Sequence, residues 1–314
     1  MHAVTVSVAL DIDPGLDDAL ALILALRSPE IRPALVTTVA GNGPLEMTTW
    51  NALRILNYLG AAHIPVAAGA STPLVKPFHG ALDYHGADAL GGLDLPEGRA
   101  DVETRAAHDL LFDFAAAAPG ERILIATGPL TNIANAFQRH EDMPLLLKEL
   151  IIMGGAFGLT PFGTGNQTPN AEFNIWQDPD AAHVVFGSGV PMTIVGLDVT
   201  NDPTGALDAS DLARLRMASS REATLVASLL QYALHRHQYC AMHDPLALAV
   251  ALDRSLFGFV TGRPDVVTRE GEERGRTRIQ TVALSADGLG SAQVATRVDG
   301  PRFKELFMGR MLES

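Results

Sequence analysis

The segment Asp11-Ile12-Asp13-Pro14-Gly15-Leu16-Asp17-Asp18 places four carboxylates within eight residues. Crowded carboxylates repel one another, and their pKa values rise unless something positive compensates. A hard divalent cation is the natural compensation, and oxygen ligands without a nearby cysteine suit Ca2+ or Mg2+ better than zinc. Asp17 and Asp18 also fit the first turn of a helix, where the dipole favours negative charge by about 0.3–1 kcal/mol each. That everyday role explains those two residues but not the whole cluster. Alternation along the preceding strand puts Asp11 and Asp13 on one side. Other polar residues follow apolar runs in the same way. Asn42 comes after 35–40, Thr127 after 123–126, and Asn166, Glu172 and Asn174 after 151–153. His243-Asp244-Pro245 precedes the apolar run 246–252. Singly, each suits a turn or a cap. Asp244 reads as an N-cap with Pro245 at the first helical position, and Asn132 as a structural group opening a helix. Together they line one rim with carboxylates and amides, the mixture of donors and acceptors that sugar hydroxyls need.

Holding these groups on one rim requires strands and helices in alternation. Residues 4–10 form a β-rich run, 17–27 a helix, 34–39 a second apolar run ending at Gly41-Asn42-Gly43, and 48–59 a second helix. The pattern recurs as strand 122–126, helix 130–137, strand 150–153, helix 179–186 and strand 192–196. Short apolar strands alternating with helices predict an α/β fold around a mostly parallel sheet covered on both faces. Ligands of such sheets bind beyond the carboxyl ends of the strands, where the aspartates fall. Irregular stretches near 76–98 and 157–170 read as binding loops. The polar stretch 263–275 leads into a C-terminal β-hairpin with strands at 277–284 and 292–298, closed by a helix over 301–311. No linker or repeat divides the chain, so 1–314 reads as a single domain with inserted loops.

Composition narrows the classes further. The 314 residues carry 36 acidic and 23 basic side chains, a formal net charge of −13, with 47% hydrophobic residues. That is a globular composition, and its acidity argues against a general nucleic-acid or membrane-surface binder. A single cysteine, Cys240, excludes an intrachain disulfide. The N-terminus lacks a basic region and reads as a strand, not a signal peptide. The longest apolar run, 19–26, is far below the ~20 residues of a membrane span. A soluble, cytoplasmic protein is the expectation.

The aspartate segment, extended to Ala19, resembles the N-terminal signature of the inosine–uridine-preferring nucleoside hydrolases. Further stretches match in order: Thr37-Thr38-Val39-Ala40-Gly41-Asn42, Thr127-Gly128-Pro129-Leu130-Thr131-Asn132-Ile133-Ala134, Met153-Gly154-Gly155 leading to Asn170-Ala171-Glu172-Phe173-Asn174, and His243-Asp244-Pro245. Gly196-Leu197-Asp198-Val199-Thr200 and Gly275-Arg276-Thr277 also fit. The resemblance runs nearly end to end. It implies a Rossmann-like single domain that uses one Ca2+ per subunit to hydrolyse the N-glycosidic bond of purine or pyrimidine ribonucleosides, in nucleoside salvage, as a homotetramer or homodimer. It implies calcium ligands at Asp13, Asp18 and Asp244 and at the Thr127 carbonyl, with Asp13 also taking the proton from the metal-bound water. It assigns the ribose to Asp17, Asn42, Asn166, Glu172 and Asn174, with Phe173 beside it. His243 marks the subgroup with a histidine near the base, and His85 matches the histidine of the other base-side loop.

The chemistry needs such a set. Glycoside hydrolysis passes through an oxocarbenium-like sugar and needs a water on one face and help for the leaving group on the other. His243 is the candidate general acid, because histidine titrates near neutral pH; its alternative role is a hydrogen bond to the base. Gln231 and His235, four apart on a helix, suit either the base side or a solvated face. The loop between Gly155 and Glu172 is longer than the family pattern by 159–164, so Asn170 competes with Asn166 for the ribose role. Cys240 reads as buried packing.

Two rival functions start from the same residues. A haloacid dehalogenase-like phosphatase also opens with Asp-x-Asp at a strand end. It wants Thr or Val two residues after the second Asp, where Gly15 stands, and a later lysine in a context that Lys76, Lys148 and Lys304 do not offer. A non-catalytic nucleoside- or sugar-binding protein on the same fold would not need Asp13, Asp18 and Asp244 together.

Overall fold

The computed structural model describes residues 5–96, 101–281 and 291–313. Nine strands form one sheet: β1 (Val6–Ile12), β2 (Ile31–Thr38), β3 (Val66–Ala68), β4 (Arg122–Ala126), β5 (Leu147–Met153), β6 (Met192–Val195), β7 (Phe257–Val266), β8 (Thr277–Thr281) and β9 (Ala292–Val298). The order across the sheet is β3-β2-β1-β4-β5-β6-β9-β7-β8. Every neighbouring pair from β3 to β9 is parallel, and β7 runs antiparallel to both β9 and β8. The expected mostly parallel α/β sheet is therefore present.

Alternation along the strands builds two cores. Leu10, Ile12, Ile125, Ile151 and Val195 face one side, with the helices Leu16–Leu26, Arg221–Arg236, His243–Leu252 and Gly300–Leu312 packed over them. Ala9, Leu124, Leu150, Ile152 and Ile194 face the other, under Ala107–Ala116, Thr131–Arg139 and Pro179–Phe186. Burial on both faces explains why these strands are apolar throughout rather than alternating.

Element boundaries depart from expectation by a few residues at most along the parallel part. Val4, expected to open the first strand, lies outside the described residues, as do residues 97–98 of the first loop. That loop also contains one helical turn, Leu82–His85. The C-terminal region differs more. Strands β8 and β9 do not pair; each pairs with β7, and the hairpin is β7–β8. Residues 282–284, expected to extend β8, are outside the described residues. The reason for the exchange is burial. Strand β9 carries buried Ala292 and Val294 and slots beside β6, whereas β8 is largely exposed and fits only an edge. Strand β7 escaped notice because Gly258, Gly262 and Pro264 interrupt it, and proline is tolerated in few strand positions.

Among the described residues, no helix is long and apolar enough to cross a membrane.

Candidate active site

A cleft of about 660 Å³ opens above the carboxyl ends of the central strands. Its floor is made by residues that leave β1, β2, β4 and β5. Strand β1 ends at Ile12, and the turn Asp13–Gly15 leads into the helix Leu16–Leu26. Asp18, in that helix's first turn, folds back on the turn: its carboxylate accepts from the Asp13 N–H (3.2 Å) and the Gly15 N–H (3.1 Å). It also accepts from the Thr127 hydroxyl (2.8 Å) beyond β4 and from Asn42 Nδ2 (3.0 Å) beyond β2. One carboxylate thus ties three strand ends together.

Asp13 lies beneath the floor and is fully buried. The Asn42 N–H donates to its Oδ2 (2.7 Å), while Oδ1 has no hydrogen-bond partner. The surrounding backbone comes unusually close. A Cβ at Gly41 would sit 2.0 Å from Asp13 Oδ2, and one at Gly128 would sit 2.7 Å from Oδ1. Only glycine fits at either position.

The helix His243–Leu252 packs against Leu16–Leu26 and brings Asp244 to the same place. Asp244 is not the N-cap, as the sequence suggested. Met242 occupies that position and Asp244 falls in the first turn, with its carboxylate free of capping duty. Oxygens of Asp17, Asp18 and Asp244 lie within 4.8 Å of one another. Two helix N-termini therefore point at one acidic cluster. No lysine or arginine among the described residues pairs with these groups; Asp17 lies 4.0 Å from His85 Nδ1. Burial, reinforced by the neighbouring carboxylates, pushes Asp13 and Asp244 well above the usual carboxylate range. Burial likewise lifts Asp17 and Asp18 to about 6, helped by Glu172 and Asp17 respectively.

Asp11 does not join them. It is fully buried, and its Oδ1 accepts from the Thr37 hydroxyl and from Asn132 Nδ2 (2.8 Å), so it joins β2 to the helix Thr131–Arg139. Asn132 is structural, since it also bonds the Thr38 carbonyl and the Ala70 N–H. Asp11 therefore braces the sheet, a role the phosphatase alternative does not give the first aspartate of its pair.

The side of the cleft carrying Glu172 is equally fixed. Glu172 caps the short helix Phe173–Gln177, accepting from the Asn174 N–H (2.8 Å), the Ile175 N–H (3.0 Å) and the Gly155 N–H (3.0 Å). Burial pushes its carboxyl up, and those three bonds pull it back. Asn174 Nδ2 donates to the Thr127 carbonyl (2.7 Å). Asn166 Oδ1 accepts from the Phe173 N–H (2.9 Å), which brings Asn166 to the cleft wall. Asn170 instead borders a separate cavity behind the loop, so of the two asparagines it is Asn166 that lines the cleft. Asp17, Asn42, His85, Thr127, Glu172, Phe173, Asn174, His243 and Asp244 all reach the cleft.

Gln231 and His235 do not. Both are exposed on the helix Arg221–Arg236, where Gln231 accepts from Arg216 (2.8 Å) and His235 Nδ1 meets the Gln231 carbonyl (2.8 Å). The chain turns into the cleft only after that helix ends.

Over its whole length the chain can be set beside known proteins. Residues 8–305 match the family model described as inosine-uridine preferring nucleoside hydrolase. The pyrimidine-specific ribonucleoside hydrolase RihA of Citrobacter koseri is 37% identical over 311 residues, which cover 97% of each chain. The chain belongs to the inosine–uridine preferring nucleoside hydrolase family. Membership makes it an N-glycosidase. Two solved structures of nucleoside hydrolases superpose with a TM-score of 0.90 each: the plant enzyme PpNRh1 (30% identical, covering 98% of this chain and 99% of that one) and the purine-preferring enzyme of Gardnerella vaginalis (32%, 97% and 98%).

In this nucleoside hydrolase the remaining wall comes from two segments. Tyr84 and His85 stand on the turn Leu82–His85, Arg236 ends the long helix, and His237, Gln238 and Tyr239 follow it. Tyr84 stacks on His237, with centroids 5.0 Å apart and planes at 29°. Arg236 donates to the Asp83 carbonyl, which ties the two segments together. Motif matching missed Tyr84, His237 and Tyr239. The available signal was three ring-bearing residues, His235, His237 and Tyr239, at alternating positions across a helix end. Burial lowers His85 to about 3 and His243 to about 4, so both rings are neutral at pH 7. Cys240 is buried and pushed up to about 12.

Proposed function

We propose that the chain hydrolyses the N-glycosidic bond of purine or pyrimidine ribonucleosides to free base and ribose, with a bound Ca2+ at the acidic cluster. One observation carries the reading: three carboxylates with no lysine or arginine partner among the described residues gather at the floor of a nucleoside-sized cleft, close to the buried, unpartnered Asp13 Oδ1. The donor set is all oxygen, as calcium requires. Asp13, Asp18 and Asp244 are the proposed ligands. The Thr127 carbonyl keeps a lone pair for a ligand beside its bond from Asn174, and Asp17 lies close enough to contribute. When bound, the cation offsets the clustered negative charge and lowers the pKa of water beside it.

The protein's own groups do the rest. Asp13 Oδ1 takes a proton from the attacking water as its oxygen bonds to C1′. The C1′–N bond breaks with its electron pair going to the base, which takes a proton from solvent as Asp13 releases its own. Asp17 and Glu172 place negative charge beside the oxocarbenium-like sugar. Asn42, Asn166 and Asn174 orient the ribose hydroxyls, with Phe173 against the ring. His243 faces the leaving base as a neutral imidazole and acts by hydrogen bonding rather than as an imidazolium acid.

The test is a panel of purine and pyrimidine ribonucleosides assayed for reducing-sugar release. Release from at least one, with none from the 2′-deoxy analogue, is expected. No release from any member, with binding retained, would favour the non-catalytic alternative and sink the proposal.

A further inference from the structure

The short helix Leu197–Thr200 after β6 has a part in the site that no motif announces. At its N-terminal end, the buried Asp198 carboxylate accepts from three backbone N–H groups of the long loop: Phe157 (2.7 Å), Leu159 (2.6 Å) and Thr160 (3.2 Å). The Thr160 hydroxyl donates back to the Asp198 carbonyl (2.6 Å). These bonds leave the helix little freedom. At its C-terminal end, the Thr200 hydroxyl lies 2.8 Å from His243 Nδ1. Thr200 is only 2% exposed, and its hydroxyl makes no other hydrogen bond among the described residues.

A hydroxyl can donate or accept, so the pair has two arrangements. If Nδ1 carried the ring proton, the Thr200 hydrogen would be buried with no acceptor. If Thr200 donates to Nδ1, both groups are satisfied and the ring hydrogen sits on Nε2, the nitrogen left to the cleft. The other histidine of the wall supports this choice by example. His85 Nδ1 accepts from the Leu16 N–H (3.1 Å), a group that can only donate, so the neutral His85 also carries its hydrogen on Nε2.

We infer that Thr200 is a positioning residue that selects the Nε2–H tautomer of His243 and aims that hydrogen at the departing base. Substrates accepted through this contact are nucleosides whose base offers a lone pair near the glycosidic bond, such as a purine N3 or N7 or a pyrimidine O2. The inference rests on the proposed base-side role of His243, and the two are separable by experiment. No covalent step changes: the proton of the attacking water still goes to Asp13, and His243 donates only a hydrogen bond.

The test compares Thr200→Val, which keeps the shape and loses the hydroxyl, with Thr200→Ser, which keeps it. Each is assayed on a natural nucleoside and on p-nitrophenyl riboside, whose leaving group needs no donor. Thr200→Val is expected to lose about tenfold or more in kcat on the nucleoside and less than threefold on p-nitrophenyl riboside, with KM little changed. Thr200→Ser is expected to recover most of the loss. Adding Thr200→Val to His243→Ala should cost nothing further. In 15N-histidine spectra the His243 signals are expected to show a bare Nδ1 and a protonated Nε2, and to move toward a mixture of tautomers in Thr200→Val. Full nucleoside activity in Thr200→Val while His243→Ala is impaired would overturn the inference and leave the proposed function standing. Equal loss on both substrates would also overturn it. An unimpaired His243→Ala would instead overturn the role of His243 itself.

Discussion

The floor and the wall of the cleft are built on different principles. The floor consists of groups at the ends of parallel strands and in the first turns of two buried helices. Its side chains are locked by backbone donors, as when Asp18 bonds the Asp13 and Gly15 N–H groups or Glu172 bonds three N–H groups. The wall is made by one helical turn and by residues beyond a helix end, joined by ring stacking and a single bond from Arg236 to the Asp83 carbonyl. The floor holds uncompensated charge and is nearly solvent-free. The wall is half exposed, and Tyr84 and Tyr239 are 39% and 38% accessible. A substitution in the floor should therefore cost turnover, and one in the stacked rings of the wall should cost binding.

The largest effect is expected at Asp13. Asp13→Ala removes the proton acceptor, and kcat should fall by about 10²–10⁴-fold, the usual contribution of a positioned base. The cradle of Gly41 and Gly128 around the missing carboxylate should keep the fold. Steady-state assays with a far-UV spectrum as the folding control check this. Robust hydrolysis by Asp13→Ala would dissolve the distinction between floor and wall.

Removing the cation ranks next. Exhaustive chelation should abolish most activity, and added Ca2+ should restore it. Stability offers a second readout whose sign can be worked out. Burial raises Asp11 to about 7 and Asp17 and Asp18 to about 6, from an ordinary 3.8. A carboxyl whose pKa is raised by folding binds its proton more tightly in the folded state. Its contribution is fully present below about pH 4 and is lost as pH rises through about 6 to 7. The chelated protein should therefore melt at a higher temperature at pH 5 than at pH 7.5. Calcium should remove or reverse the difference, because the proposed site would bind it through the ionised cluster. Melting curves at both pH values, with and without Ca2+, decide the matter. No effect of calcium at pH 7.5 would place the metal elsewhere.

The same contrast explains what the sequence could reveal. Strand-end residues are legible because apolar runs of five to seven residues announce where a parallel strand stops. The residue type just beyond must then do something with the exposed rim. Asn42, Thr127, Glu172 and Asn174, singled out on this basis, line the cleft, and Asp13 lies buried beneath it. Asp11 was misjudged because alternation gives a side of the sheet but not the depth. Two residues before Asp13, its carboxylate meets Thr37 and Asn132 instead of the cleft. Asn166 was legible only by counting along a loop, whose length a buried carboxylate on another element, Asp198, absorbs. The sheet edge failed for a related reason. Whether β8 or β9 fills the slot beside β6 depends on which strand buries more, and neither has a strongly periodic pattern. Tyr84 and His237 come together across about half the chain length, and nothing local in either segment encodes that stacking.

Wall substitutions sharpen the comparison from the other side. Tyr84→Ala and His237→Ala each remove one half of a stacked pair worth about 0.5–1.5 kcal/mol. They should raise KM for nucleosides by about 2–10-fold and leave kcat within about threefold. The double variant should be little worse than either single one, because the rings act as a unit. A kcat loss as large as that of Asp13→Ala would mean that the wall, and not the floor alone, sets the reacting geometry.

The smallest effect is expected at Gln231 and His235, and it probes where the wall begins. Both side chains are exposed and spend their hydrogen bonds on Arg216 and on the helix backbone. Surface substitutions of this kind change stability by less than about 0.5 kcal/mol. Gln231→Ala and His235→Ala should therefore stay within about twofold of the parent in kcat/KM. The wall would then start at Arg236, where the helix ends and the chain first turns toward the cleft. A tenfold rise in KM in either variant would require Arg221–Arg236 to rotate or unwind when substrate binds, bringing the two side chains over the base. The wall would then be a moving part, and its looseness relative to the floor would serve to let the nucleoside enter before the cleft closes on it.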